Sequence, residues 1–172
     1  MGTKNPARLT RGPPPGVIEE IRKRLSEEEA QGMETLFKLR ATAQQVENVA
    51  REWMAGTVGS AARYKIMMTL WTSKDNGVPH KDIVTKMGVT RATISILMAA
   101  LEREGFVKSY VDRDDRRKLV ARLTRKGEAA ITKAFEVNIA RFRSVFASLS
   151  PAELANLEAL LQRVREVFAA CG

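Results

Sequence analysis

The chain has 172 residues, enough for one domain with a hydrophobic core or for a small domain with helical extensions. Hydrophobic residues make up 44% of the sequence and charged residues 28%, an ordinary balance that argues against disorder along the whole chain. Most of the net charge of +9 lies in residues 60–127, where 15 Lys and Arg face 7 Asp and Glu, and this bias indicates a polyanionic partner such as nucleic acid.

The first sixteen residues, MGTKNPARLTRGPPPG, are rich in proline and glycine and lack the apolar run of a secretory signal. We expect residues 1–16 to form a disordered arm. No apolar run approaches the roughly 20 residues that a membrane-spanning helix needs. The single cysteine, Cys171, excludes an intramolecular disulfide. We therefore expect a cytoplasmic protein that does not act at a membrane.

Residues 17–59 predict N-terminal helices. VIEEIRKRL favours a short helix, and the SEEE that follows has the spacing of a capping box, in which Ser26 and Glu29 close the first turn reciprocally. From Glu27 to about Met54, apolar residues recur at intervals of three and four, as they do along one face of a helix. The turn residues GTVGS then end this helix.

The next segments predict a helix-turn-helix. AARYKIMMTLWTS (61–73) is typical of a helix, and the turn residues of KDNGVP close it. Residues 80–105 then predict two short helices: Gly88 ends the first, Thr90 caps the second, and Gly105 ends the second. Two short helices joined by a tight turn that contains glycine form a helix-turn-helix.

A basic hairpin follows these helices. FVKSYV (106–111) and KLVARL (118–123) predict two strands, and the charged DRDDRR between them favours an exposed tip. In the second strand the alternation predicts that one face carries Leu119, Ala121 and Leu123, and the other Lys118, Val120 and Arg122. A helix-turn-helix followed by such a hairpin is a winged helix, which we assign to residues 60–127.

Residues 128–172 predict C-terminal helices. Thr124 caps a helix whose apolar positions include Ile131, Phe135, Ile139, Phe142 and Phe146. SPAE (150–153) then gives three start signals for a last helix, whose apolar residues from Leu154 to Phe168 are spaced by three and four. A monomer would expose this stripe, so we expect it to form a dimer interface or to pack against the first long helix.

The order of these elements, together with LEREGFVKSYVDRDDRRKLVARLTRKG (101–127), resembles the MarR family of winged helix-turn-helix transcriptional regulators. The residues that match the family pattern are Leu101, Glu102, Gly105, Asp112, Asp115, Arg116, Arg117, Leu123, Thr124 and Gly127. The resemblance covers roughly residues 30–170. It implies a mainly α fold (α+β), with a winged helix-turn-helix lobe and long N- and C-terminal dimerisation helices.

The resemblance also implies a homodimer that binds a palindromic operator in double-stranded DNA and is released by a small effector, such as an aromatic acid or its thioester. It favours a repressor over an activator. Two residues depart from the family pattern: Arg113 stands where proline is frequent, and Ile96 where a polar or basic residue is common. An Ile96 that faces DNA would contact a thymine methyl group rather than a guanine.

The winged-helix architecture predicts the residues that contact DNA. The second helix of the helix-turn-helix enters the major groove, while the hairpin reaches phosphates and the minor groove. Our predicted contacts are His80, Thr90, Arg91, Thr93, Ser95, Ile96, Arg113, Asp115, Arg116, Arg117 and Lys118. His80, at a predicted helix start, would cap the helix or contact a phosphate, and Asp115 would orient an arginine of the hairpin.

The effector pocket that the resemblance implies lies between the dimerisation helices and the DNA-binding lobe. Candidate lining residues are Arg40, Trp53, Met54, Arg63, Met67 and Trp71. The alternative is that the four apolar side chains (Trp53, Met54, Met67 and Trp71) belong to the core and that the two arginines form surface salt bridges.

An enzyme is excluded, because the sequence contains no metal-ligand cluster, no phosphate-binding glycine loop and no nucleophile–base pair around the single histidine. We expect no cofactor. The remaining rival is an architectural or non-specific DNA-binding winged-helix protein without effector control.

Overall fold

The computed structural model describes residues 13–73, 77–112 and 118–171. Within these ranges the chain forms seven helices and three strands, in a mainly α fold with one small antiparallel sheet, which confirms the predicted fold class. The elements are α1 (Pro15–Arg24), α2 (Glu27–Val58), α3 (Ala61–Thr72), β1 (Val78–Pro79), α4 (His80–Met87), α5 (Arg91–Arg103), β2 (Val107–Val111), β3 (Leu119–Leu123), α6 (Arg125–Phe146) and α7 (Pro151–Ala170).

The two N-terminal helices differ from the prediction at their ends. α1 begins at Pro15, so the arm assigned to residues 1–16 is too long at its end; residues 1–12 lie outside the described ranges. Proline suits the first turn of a helix, where its missing N–H is not needed. α2 continues through Gly56 to Val58, and its C-cap is Gly59, whose φ of 91° is the left-handed conformation that glycine adopts most easily.

The capping box at the start of α2 is confirmed. The Ser26 backbone N–H donates to Glu29 Oε2 at 2.9 Å, and the Glu29 N–H donates to Ser26 Oγ at 3.3 Å. Hydrogen bonds from the Ser26 backbone N–H and from its side chain lower the pKa of Glu29, because they stabilise the ionised carboxylate.

The core lies between α3, the two helices of the helix-turn-helix, the sheet and α6. Its fully buried large side chains come from each of these helices: Ile66, Met67, Ile83, Ile94, Met98, Leu101 and Ile131. Burying an aliphatic side chain of this size contributes about 1.5–3 kcal/mol. Packing therefore fixes the helix-turn-helix on α3, which in turn packs on α6.

The sheet has the order β1-β3-β2, with both pairs antiparallel. We did not predict β1, because the KDNGVP segment reads as a turn. Because β3 pairs with a strand on each side, burial does not alternate along it. Val120 and Ala121 are both buried, whereas Leu119 is exposed. The strict alternation predicted for β3 is therefore wrong, since Val120 is covered by β1 and the glycine before it, Gly77.

The joint between the sheet and α6 is closely packed. Thr124 Oγ1 donates to the Gly105 carbonyl at 2.7 Å and accepts from the Gly127 N–H at 3.0 Å. A Cβ at Gly127 would lie 2.0 Å from the Phe106 carbonyl oxygen. Only glycine lets the first turn of α6 approach the chain that follows α5 this closely.

The last helix, α7, carries an exposed apolar stripe. Its capping box at Ser150 and Glu153 is present, and none of its residues is buried. The exposed apolar side chains of α7 are Leu157, Leu160, Leu161, Val167 and Phe168. Phe142 and Phe146 of α6 are also exposed. The alternative that α7 buries its stripe against the first long helix is therefore not what the single chain shows.

Candidate nucleic-acid interface

The helix-turn-helix has the predicted turn. Gly88 ends α4 with a φ of 63°, and its N–H donates to the Val84 carbonyl at 3.1 Å. Thr90 caps α5 by accepting from the Thr93 N–H at 3.2 Å. The two helices are bent by 115° relative to each other. This angle lies in the range typical of helix-turn-helix units.

α5 presents one face to the core and the other to solvent. The core face is Ile94, Met98 and Leu101. The opposite face is formed by Ala92, Ile96, Ala99 and Arg103, which are spaced by four, three and four residues and are exposed. The predicted contact residues of this helix, Arg91, Thr93, Ser95 and Ile96, and its cap Thr90, are all exposed.

A cleft of about 320 Å³ lies between the starts of α4 and α5 and the beginning of β3. Four predicted contact residues line it together. Its full lining is Pro79, His80, Lys81, Val84, Arg91, Ile94, Ser95, Lys118 and Leu119. Its charged residues are basic, so the cleft attracts an anionic group such as a backbone phosphate.

His80 does not cap α4, contrary to one of its predicted roles. Pro79 is the N-cap, and the His80 ring instead hydrogen-bonds Ser109 on β2. Partial burial lowers the pKa of His80; the Glu102 carboxylate opposes this by raising it, and the Arg91 charge lowers it further. The imidazole therefore links α4 to the hairpin in its neutral form near pH 7.

The hairpin strands approach each other up to Asp112, whose N–H donates to the Lys118 carbonyl at 2.8 Å. The predicted contacts Arg113, Asp115, Arg116 and Arg117 lie outside the described residues. Tyr110, Val111 and Leu119 are exposed near this end of the hairpin.

Sequence reasoning missed five residues of the cleft, among them Lys81 and Leu119. The position of Lys81 in the sequence could have indicated a contact residue, because it follows His80 in the first turn of α4, where the helix-turn-helix begins. Leu119 had no such indication, because the alternation placed it on the buried face of its strand.

The effector candidates fall into different environments. Trp53 and Met54 on α2 and Trp71 on α3 are half-buried, and the two indole rings contact α6. Their ring centroids lie 5.4 Å from Phe142 and 5.3 Å from Phe135, respectively. The structure thus brings these aromatic side chains to the seam between α6 and the helices before it.

Met67 and Arg63 require correction. Met67 is a core residue without exposed surface, so it does not line a pocket. Arg63 forms an ion pair with Glu104, and its guanidinium lies 5.9 Å from the centre of the Phe106 ring. The hydrogen bond from Arg63 lowers the pKa of Glu104. The salt-bridge alternative therefore describes Arg63, while Arg40 is exposed on α2.

Neither a metal site nor a single membrane helix is found in the parts of the chain that the structure describes. No group of three or more His, Cys, Asp or Glu residues there could hold a metal ion. No single helix there is long and apolar enough to cross a membrane; α4 and α5 meet those criteria only as a bent pair.

A helix-turn-helix with an exposed second helix, followed by a two-stranded hairpin and packed on long flanking helices, defines a winged helix-turn-helix protein. The MarR family model matches residues 60–119. The matched segment runs from the start of α3 to the start of β3, so the similarity to the MarR family covers the helix-turn-helix and its hairpin.

Other known proteins are similar to this chain over more of its length. The HTH-type transcriptional repressor YetL of Bacillus subtilis (strain 168) is 27% identical over 125 residues, which cover 73% of this chain and 75% of YetL. The crystal structure of MepR, a transcription regulator of the Staphylococcus aureus multidrug efflux pump MepA, matches with a TM-score of 0.66 at 19% identity. The match covers 77% of this chain and 96% of MepR.

A second structure, the S. aureus MepR–DNA complex, matches with a TM-score of 0.62 at 18% identity and covers 73% of this chain and 95% of that one. These two structural matches show that the fold is shared.

Proposed function

We propose that the chain is a repressor that binds a palindromic operator as a homodimer and is released by a small effector. The observation that carries this proposal is the exposed outer face of α5, bordered by a cleft whose charged residues are Lys81, Arg91 and Lys118. A helix whose exposed face is flanked by basic side chains fits the major groove, with the cations on the phosphates.

The hairpin adds the second part of the proposed interface. Arg113, Arg116 and Arg117 follow β2 directly, and we propose that they contact phosphates and the minor groove, with Asp115 orienting one guanidinium. The hairpin is fixed to the helix-turn-helix of α4 and α5, which we call the reading head. Ser109 makes this connection, because it links β2 to both helices.

The exposed stripe of α7 supports the proposed homodimer. Five of its large apolar side chains are between 41% and 62% exposed in the single chain, and water contact along such a stripe is unfavourable. A second copy would cover both stripes with two-fold symmetry. Two reading heads related by this symmetry match half-sites about 34 Å apart, one turn of DNA.

Relatives support repression and DNA binding. YetL is named a transcriptional repressor, and the DNA complex of MepR has the same fold as this chain. We also propose a cytoplasmic location, because the protein would act on DNA. Release would follow from an effector bound at the seam between α2, α3 and α6, beside Trp53, Met54 and Trp71.

Such an effector needs only to bind one arrangement of the homodimer more tightly than another, where the two arrangements differ in the spacing of their reading heads. A preference of about 1–3 kcal/mol is typical of coupled sites. Aromatic carboxylic acids and their thioesters are the compounds to test first, because the seam presents aromatic faces. Titrating them into the protein–DNA complex, with Trp53→Leu beside the natural chain, measures release and its dependence on the seam.

The experiment that tests the proposal is selection of bound DNA from a random pool, with affinity then followed against salt concentration. We expect a palindromic consensus and a steep fall of affinity with salt. Arg91→Ala should weaken binding to all sequences and lower the salt slope by about 1. Lys23→Ala, an exposed α1 change that also removes one positive charge, is the matched control.

Binding with a salt slope but without a consensus would contradict the proposal and establish the rival, an architectural DNA-binding protein.

A further inference from the structure

We propose that Ile96 is a specificity-determining residue that selects a thymine in each half-site by covering the 5-methyl group of that base. The inference rests on the proposed function, because it requires that α5 enters the major groove. It goes beyond that function by naming the chemical feature that is read.

Ile96 occupies the middle of the exposed face of α5, which we call the reading face. It is 71% exposed, the largest exposed fraction of any large apolar side chain in the described residues. Ala92 precedes it by one turn and Ala99 follows it by one turn, and both are exposed on the same face. Because alanine side chains are short, the Ile96 side chain projects beyond its neighbours and meets a surface laid against this face first.

The polar groups beside Ile96 are already engaged within the chain. Ser95 Oγ donates to the Arg91 carbonyl at 3.0 Å, and Thr93 Oγ1 lies 2.9 Å from Thr90 Oγ1. The centre of the face therefore lacks the Asn, Gln or Arg side chain that pairs with an adenine or a guanine through two hydrogen bonds. The arginines of α5 stand only at the two ends of the helix, at Arg91 and Arg103.

An apolar centre has one matching feature in the major groove. The thymine 5-methyl group is the apolar element of the base-pair pattern there, and apolar side chains contact it. Covering Ile96 with a thymine methyl removes apolar surface of both partners from water, whereas covering it with a guanine or cytosine edge buries a polar group without a partner.

Ile96 also contributes little to the fold. Its helix is held by Ile94, Met98 and Leu101 on the opposite face, so replacing the exposed side chain leaves the core intact. The residue can therefore be changed to test recognition alone.

The test uses the DNA selected from the random pool as the probe. Each thymine of the consensus is replaced in turn by uracil, which removes the methyl group and leaves the hydrogen-bonding edge unchanged. We expect one position in each half-site to lose affinity by about fourfold, the factor that corresponds to ~0.8 kcal/mol for one buried methyl group.

The same replacements are then measured with Ile96→Ala and with Ile96→Val. The alanine variant should bind thymine and uracil probes equally at that position, and the valine variant, which keeps two methyl branches, should retain most of the discrimination. Circular dichroism spectra and thermal unfolding of the variants confirm that they are folded.

The outcomes separate the inference from the proposed function. A consensus in which no thymine is sensitive to uracil, or in which the sensitivity persists in Ile96→Ala, overturns the role of Ile96 and leaves the regulator intact. The absence of any consensus overturns both.

Discussion

His80 Nε2 lies 2.9 Å from Ser109 Oγ, and the Ser109 hydroxyl in turn donates to the Glu102 carboxylate. Because a hydroxyl has only one proton, and Ser109 gives it to Glu102, the imidazole must be the donor to Ser109. A neutral imidazole protonated on Nε2 meets this requirement. Three residues thus tie the start of α4, strand β2 and the C-terminal half of α5 together.

This chain of hydrogen bonds predicts a pH dependence of stability. Partial burial lowers the pKa of His80 in the folded protein below its ordinary value of 6.5. As the pH falls below 6.5 the unfolded chain binds the proton first, so the free energy of unfolding decreases; above 6.5 the contribution is complete. We expect His80→Gln to flatten this decrease in urea unfolding measured between pH 8 and pH 5. Equal pH profiles of the two proteins would contradict the assignment.

The cap of α6 predicts a stability loss at Thr124. Its hydroxyl both accepts from the Gly127 N–H and donates to the Gly105 carbonyl, so Thr124→Ala leaves a donor and an acceptor without their partner. We expect the free energy of unfolding to fall by about 1–2 kcal/mol, measured by urea denaturation. Thr124→Ser keeps the hydroxyl and should lose much less. A comparable loss in both variants would show that the methyl group, not the cap, matters.

Two glycines predict opposite effects of the same substitution. Gly127→Ala would force a methyl group against the Phe106 carbonyl, whereas a Cβ at Gly56 in α2 meets no atom within 4 Å. We expect Gly127→Ala to lower the free energy of unfolding by several kcal/mol, and Gly56→Ala to raise it by about 0.5–1 kcal/mol. Thermal unfolding of both variants provides the comparison, and a Gly127→Ala protein of normal stability would show that this joint is loose.

The exposed stripe of α7 predicts the effect of a charge on assembly. Leu157 is 47% exposed in the single chain, and Leu157→Lys would place an ammonium group in the proposed interface. We expect the natural chain to sediment as a dimer and the variant as a monomer at micromolar concentrations. Gln162→Lys on the same helix adds the same charge outside the stripe and should stay dimeric. A dimer that survives Leu157→Lys would place the interface elsewhere.

The sequence predicts the helix-turn-helix closely because its signals are local. Gly88 and Thr90 each act within a few residues of their position in the chain, through a positive φ and a side-chain hydrogen bond. Helix ends and caps of this kind are therefore readable without knowing the rest of the fold. The same holds for the capping boxes at Ser26 and Ser150.

What the sequence does not predict depends on distant pairing. Strand β1 has two residues and forms only because β3, some forty positions later, pairs with it. That pairing covers Val120 and leaves Leu119 exposed beside the cleft. The alternation of residues within β3 therefore predicts the wrong side chains as buried. Met67 likewise has the size and chemistry of a pocket residue, and only the packing around α3 shows that it is in the core.

The closely packed joint at Thr124 has a mechanical consequence. α6 contains 22 residues, and its start is held on the chain that leaves α5 by Thr124, Gly127 and the Lys126 ammonium on the Glu104 carbonyl. A helix of this length measures about 33 Å, so a tilt of about 5° at its far end corresponds to a shift of about 3 Å at the other. In the proposed homodimer α6 would act as a lever, because a small tilt where the two copies meet would move the helix-turn-helix by about 3 Å.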